Sequence, residues 1–125
     1  MMKEMTSYKK GVIAEKEAAS YLKRQGYEVL KARYKTKFGE IDLIVRKKKL
    51  IAFVEVKAHK AIEDSYYAVT LKTRRRIEQS ALWFLSEYPE YSDFDMRFDV
   101  LAFGQDPQTG EQSIQYLDNA WMVGA

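Results

Sequence analysis

Two carboxylates and a lysine stand where strand geometry could bring them together. In Gly39-Glu-Ile-Asp-Leu-Ile-Val45 the residues alternate, with Ile41, Leu43 and Val45 on one face and Glu40, Asp42 and Ile44 on the other. In Leu50-Ile-Ala-Phe-Val-Glu-Val-Lys57, Ala52, Val54 and Val56 share one face, and Phe53, Glu55 and Lys57 the other. If Lys48-Lys49 forms a two-residue turn, Val45 lies opposite Ala52 and Leu43 opposite Val54, so that both apolar faces coincide. The same register sets Asp42 against Glu55 and Glu40 against Lys57. Opposed residues have Cβ atoms about 5 Å apart, where two carboxylates repel. A divalent cation would hold such a pair, and carboxylate and carbonyl oxygens suit Mg²⁺ or Mn²⁺. Val56, between Glu55 and Lys57, can offer its backbone carbonyl to the same ion. Lys57 could orient an attacking water or stabilise charge on a phosphate. The alternative is an exposed strand face on which Glu40 pairs with Lys57 and Asp42 is solvated.

A third carboxylate comes from the first helix. At 100° per residue, Gly11, Ala14, Ala18, Tyr21 and Leu22 form an apolar stripe, and Glu15 falls inside it. An acid in a core-facing stripe is paired, protonated or bound to metal, so Glu15 could approach the Asp42–Glu55 pair from above the sheet. A position at the stripe's edge, or pairing with a lysine, is the other outcome.

These residues need a scaffold, and 125 residues suffice for one domain over 1–125 with a core of its own. The expected order is αβββαββ: a helix over 7–25 capped by Ser7 and stopped at Gly26, strands at 27–35, 40–45 and 50–57, a helix over 68–87, and strands at 96–103 and 113–117. A basic turn lies at 46–49, and Asn119 is placed as the cap of a terminal turn. This is an α/β fold with a mixed sheet flanked by helices.

Composition narrows the chemistry. There is no cysteine, which excludes disulfide scaffolds, thiolate metal sites and thiol nucleophiles, and a single histidine excludes multi-histidine sites. No apolar run has the ~20 residues of a membrane span, and the first residues lack a signal-peptide core, so a cytoplasmic location is expected. Charge is strongly partitioned. Residues 1–76 hold 20 of the 21 Lys and Arg and 9 of the 18 Asp and Glu, a balance of +11. The remainder carries −8, with Arg97 as its one cation. A basic half suits a polyanion, nucleic acid above all. Lys72, Arg74, Arg75 and Arg76 form a candidate phosphate-contacting patch on the second helix. His59 is a further candidate contact, the tip at 46–49 could touch a phosphate, and Tyr66 and Tyr67 could stack on bases. Gln79 and Trp83 are assigned to packing and buttressing, and Arg97 with Asp99 to a structural pair.

Gly39-Glu-Ile-Asp-Leu-Ile44, Phe53-Val-Glu-Val-Lys57 and Arg97-Phe-Asp-Val100 together resemble the YraN-like family of small bacterial proteins, placed in the PD-(D/E)XK nuclease-like superfamily. Weaker similarity extends over the first helix and over Ile114 to Trp121. The resemblance implies a restriction-endonuclease-like fold, divalent metal on Asp42 and Glu55, and a Lys57 that assists the nucleophilic water. It also places Glu15 where archaeal Holliday-junction resolvases carry an acid on the first helix. The sequence departs from the family pattern at Ala14 (usually Gly), Arg33 (Asn after the first strand) and His59 (Arg).

The resulting expectation is a metal-dependent endonuclease-like protein hydrolysing DNA phosphodiesters, at branched or recombination DNA among the options. A homodimer would suit cutting of two strands, although no residue demands one. Two rivals remain: a noncatalytic nucleic-acid-binding module with the same fold, and an interaction protein using its acidic C-terminal half.

Overall fold

The structure, a computed structural model, describes residues 7–58, 69–106 and 108–123, excepting the side chains of 7–10 and 105. His59, Tyr66 and Tyr67 lie outside the described residues. The elements follow the order αβββαββ: α1 (Ser7–Arg24), β1 (Glu28–Thr36), β2 (Gly39–Lys47), β3 (Leu50–Ala58), α2 (Leu71–Glu87), β4 (Asp95–Gln105) and β5 (Gln112–Trp121), with a 3₁₀ turn at Pro89–Tyr91 after α2. The sheet runs β1-β2-β3-β4-β5, antiparallel except where β3 pairs with β4. This is a restriction-endonuclease-like arrangement. Among the described residues no helix is long and apolar enough to cross a membrane.

α1 stops at Gly26, whose φ of 95° needs no Cβ, and the Tyr27 amide turns back to Leu22 O at 3.0 Å. Ala14, Ala18 and Leu22 let α1 sit close on Leu43, Val45, Ala52, Val54 and Leu101. On the opposite face, Ile77, Ala81 and Phe84 of α2 cover Ile44, Ile51, Phe53 and Phe98. There Phe53, Phe98 and Trp121 stack in series with centroids 5.5 and 5.2 Å apart. β3 is covered on both faces, hence its nearly unbroken apolar run.

The β2–β3 hairpin has the expected register, with Val45 opposite Ala52 and Leu43 opposite Val54. Its turn is Lys48-Lys49, with Lys48 at φ 54°, so Arg46 and Lys47 belong to the strand rather than to a four-residue tip. Three of the four cations engage the protein itself. Arg46 lies over Phe94, Lys47 donates to Gln25 O, and Lys49 pairs with Asp93.

Two expectations are corrected. Ile41 does not share a face with Leu43 and Val45; it packs with Ile44 and Phe53 under α2. Alternation therefore slips by one residue at Asp42, next to Arg33 of β1, whose φ is 53°. Asn119 caps no terminal turn. It lies within β5, which runs on to Trp121, at φ 50° in a bulge opposite Asp99.

Asp99 is fully buried and fully bonded. Arg97 Nε and Nη2 each donate to it at 2.9 Å, Asn119 N donates at 2.9 Å, and the Tyr116 hydroxyl donates to Oδ2. Arg97 also reaches Tyr27 Oη at 2.7 Å, so the expected structural pair ties β4 to β5 and to the entry of β1. Burial first, then the Asp99 charge, raises the Tyr116 phenol.

Candidate metal centre

The slip at Asp42 builds the site. Once Ile41 turns under α2, its neighbours Glu40 and Asp42 come round to α1. There, single carboxylate oxygens of Glu15, Glu40 and Asp42 lie within 4.8 Å of one another. Glu15 is in the core-facing stripe, as the helix period requires, with its side chain 14% exposed. Burial first, then Asp42, pushes its carboxyl above the ordinary range, against the opposing pull of Arg33. Arg33 Nε lies 3.3 Å from Glu15 and 3.2 Å from Glu40, so the cation partnering Glu15 is this arginine and not a lysine. Asn tolerates a positive φ more readily than Arg, and Arg33 adopts one at the position where the family resemblance expects Asn.

Asp42 stands where the regular β2–β3 pairing ends, at Leu43 and Val54. Its Oδ2 accepts the Val56 amide at 2.8 Å, in place of a backbone ladder bond. The carboxylate also hydrogen-bonds Glu55, which is nearly buried. Asp42 is thus shared between the Glu15–Glu40 group and Glu55. Burial first, then the bond to Asp42 and its charge, pushes Glu55 up to about 9; Lys57 and Arg76 pull the other way. Lys57 therefore lies within electrostatic reach of Glu55, as the strand period places it.

A divalent cation fits this donor set. Glu15, Glu40 and Asp42 converge, Glu55 resists ionisation in place, and every donor is oxygen, the ligand class of Mg²⁺ and Mn²⁺. Glu40, expected opposite Lys57, joins the acids instead. The signal for it was its shared face with Asp42. Arg33 carried no comparable signal, because only the bend in β2 brings it between two acids.

Of the basic patch on α2, Arg74 donates to Val69 O at 3.2 Å and lies over the Trp121 ring. Lys72, Arg75 and Arg76 instead line a surface groove, and Arg76 also carries its charge toward Glu55.

The buried acid gives a pH test. Because the folded-state pKa of Glu55 is raised from 4.5 to about 9, its contribution to stability is full below pH 4.5 and is lost as pH rises through about 9. In EDTA, Glu55→Gln should match the parent's melting temperature near pH 5. Between pH 5 and pH 9 the parent should lose melting temperature steadily relative to Glu55→Gln, and the variant should be the more stable protein at pH 9. Parallel melting profiles for the two proteins would show that Glu55 ionises freely.

The mixed sheet, its two covering helices and the acids gathered where β2 leaves β3 place the molecule in the restriction-endonuclease-like class of folds. Residues 14–103 match the family described as "Uncharacterised protein family UPF0102", and the chain belongs to that family. It is 43% identical over 97 residues to a UPF0102 protein of Bradyrhizobium diazoefficiens, covering 78% of this chain and 73% of that one. A UPF0102 protein of Nitrobacter winogradskyi is 42% identical over 97 residues, covering 78% of this chain and 82% of the relative. One from Rhodopseudomonas palustris is 43% identical over 101 residues, covering 81% and 78%.

Proposed function

We propose that the protein is a divalent-cation-dependent nuclease that hydrolyses phosphodiesters in DNA. The observation that carries this reading is the convergence of Glu15, Glu40 and Asp42, with Asp42 also bonded to a nearly buried Glu55. Asp42, Glu55 and Glu15 would hold Mg²⁺ or Mn²⁺, with Glu40 beside them and the Val56 carbonyl available at the strand. When bound, the cation supplies positive charge to the phosphate oxygens as the attacking and leaving oxygens exchange. The chain supplies the rest. Lys57 orients a water toward phosphorus, Glu55, ionised once the cation is held, fixes the ammonium of Lys57 by charge, and Val56 N–H holds the Asp42 carboxylate in place. Water adds to phosphorus as the bond to the sugar oxygen breaks; the water gives up a proton to solvent and the departing oxygen takes one up, leaving a phosphomonoester and a hydroxyl.

Lys57→Ala should lower cleavage by about a hundredfold while leaving cation binding in place, since Lys57 is not a ligand in this scheme. Cleavage at the parental rate would remove Lys57 from the reaction.

One observation favours a second reading. Arg33 already pairs with Glu15 and Glu40, and an internal cation there suits a noncatalytic nucleic-acid-binding module. DNA binding that persists in EDTA, with no cleavage under Mg²⁺ or Mn²⁺, would favour that module.

A further inference from the structure

A groove of about 460 Å³ runs between the β1–β2 turn and the start of α2. Phe38 and Leu71 form its apolar floor, 36% and 52% exposed, and Lys72, Arg75 and Arg76 line it as cations. The first turn of α2 carries no acid, so its N-terminal dipole adds to their field. Phe38 is held firmly. Its amide donates to Thr36 Oγ1 at 3.0 Å, Thr36 Oγ1 meets the buried Ser80 Oγ at 2.8 Å, and the ring packs edge-on against Trp83. Lys37 sits over both rings. Gln79 and Trp83, assigned to packing and buttressing, are at the surface: Gln79 lines the groove and Trp83 buttresses Phe38 from outside the core.

One side chain links the groove to the acidic site. Phe38 precedes Glu40 by two residues, and Arg76 lines the groove while acting electrostatically on Glu55. Arg76 also packs against the β2 start, its Cβ 3.7 Å from where a side chain on Gly39 would begin.

We propose that this groove binds unpaired nucleotides of a DNA single strand, next to the phosphate that meets the acids, so that the substrate class is DNA with a single-stranded segment. This rests on the nuclease reading above. A fixed aromatic floor with a cationic rim matches a base whose face is free and whose phosphates are near. A paired base hides its faces in the stack and offers Phe38 nothing to stack on. Lys72, Arg75 and Arg76 neutralise the phosphates, and Phe38 selects for the unstacked base.

The test is fluorescence anisotropy of the full chain with a 15-nucleotide dT strand and a blunt-ended 15-base-pair duplex of two strands, in Ca²⁺ to support binding. The parent should prefer the dT strand. Phe38→Ala should weaken strand binding about tenfold and leave duplex binding unchanged, while Phe38→Trp restores strand binding. Arg75→Ala should weaken both DNAs and reduce the salt slope by about one. Equal strand affinity for Phe38→Ala and the parent would overturn the inference and assign the groove to another occupant, a second copy of this chain or a different protein. If metal-dependent cleavage of duplex DNA persists in that case, the groove proposal fails alone. If the parent neither binds nor cuts any DNA, both proposals fail.

Discussion

Asp42→Asn should abolish metal-dependent cleavage, with a fall on the order of a thousandfold, and should leave the protein folded. Asp42 belongs to both halves of the site, touching the Glu15–Glu40 group and Glu55 together. No other acid among the described residues does this. Replacing it with Asn keeps the side chain's size and its acceptor for the Val56 amide, the bond that closes the end of the β2–β3 pairing. Only the charge and one ligand oxygen are lost. The fold should therefore survive, and relief of the like charge beside Glu55 works in its favour. Cleavage assays over a range of Mn²⁺ concentrations, with circular dichroism melting beside them, check both halves. A variant that cuts at the parental rate would remove Asp42 from the centre. A variant that unfolds would show that the site holds the hairpin together by charge.

The largest effect on stability lies away from the site. Asp99→Ala leaves the Arg97 guanidinium, one-fifth exposed, without its two 2.9 Å partners. It also strips Tyr116 and the Asn119 amide of their acceptor. Asp118 lies 3.9 Å from Arg97 but is largely exposed, and cannot replace a buried bidentate partner. Breaking a buried pair on one side costs about 3–5 kcal/mol, which in a chain of this size lowers the melting temperature by on the order of 10–20 °C. Replacing both members, Arg97→Met with Asp99→Leu, should cost less than the sum of the single changes, because neither charge is then stranded. Thermal melts of the three variants settle this. An Asp99→Ala protein within about 2 °C of the parent would mean that water satisfies Arg97 after the change.

Much of this architecture was legible in residue pattern. The turn at Lys48-Lys49 and the matching of apolar faces are local, and a one-residue error would have exposed Leu43, Val45, Ala52 and Val54, so the register was strongly determined. The α1 stripe with Glu15 inside it followed from helical period for the same reason. The slip at Asp42 was not legible. It depends on β2 parting from β3, on Asp42 taking a backbone amide with its side chain, and on Arg33 adopting a positive φ on a neighbouring strand. Strict alternation put Ile41 on the wrong face, and with it hid the meeting of Glu40, Glu15 and Arg33. Asn119 failed in a related way. Its bulge exists because Asp99 claims its amide across the sheet, a bond between residues 20 apart in sequence. Trp83 read as a packing and buttressing residue and does buttress, but its partner Phe38 was not legible, because only the fold places that turn against α2.

The central claim is that these carboxylates bind a divalent cation, and calorimetric titration of Mn²⁺ and Mg²⁺ into the purified protein tests it most directly. The titration should be made with and without a branched DNA, since a substrate phosphate can complete such a site. The account predicts binding in the parent that disappears in both Asp42→Asn and Glu55→Gln. It also predicts proton release on binding at pH 7, as Glu55 gives up the proton it retains in the free protein. Absence of binding even with DNA present, or binding that survives both substitutions, would contradict it.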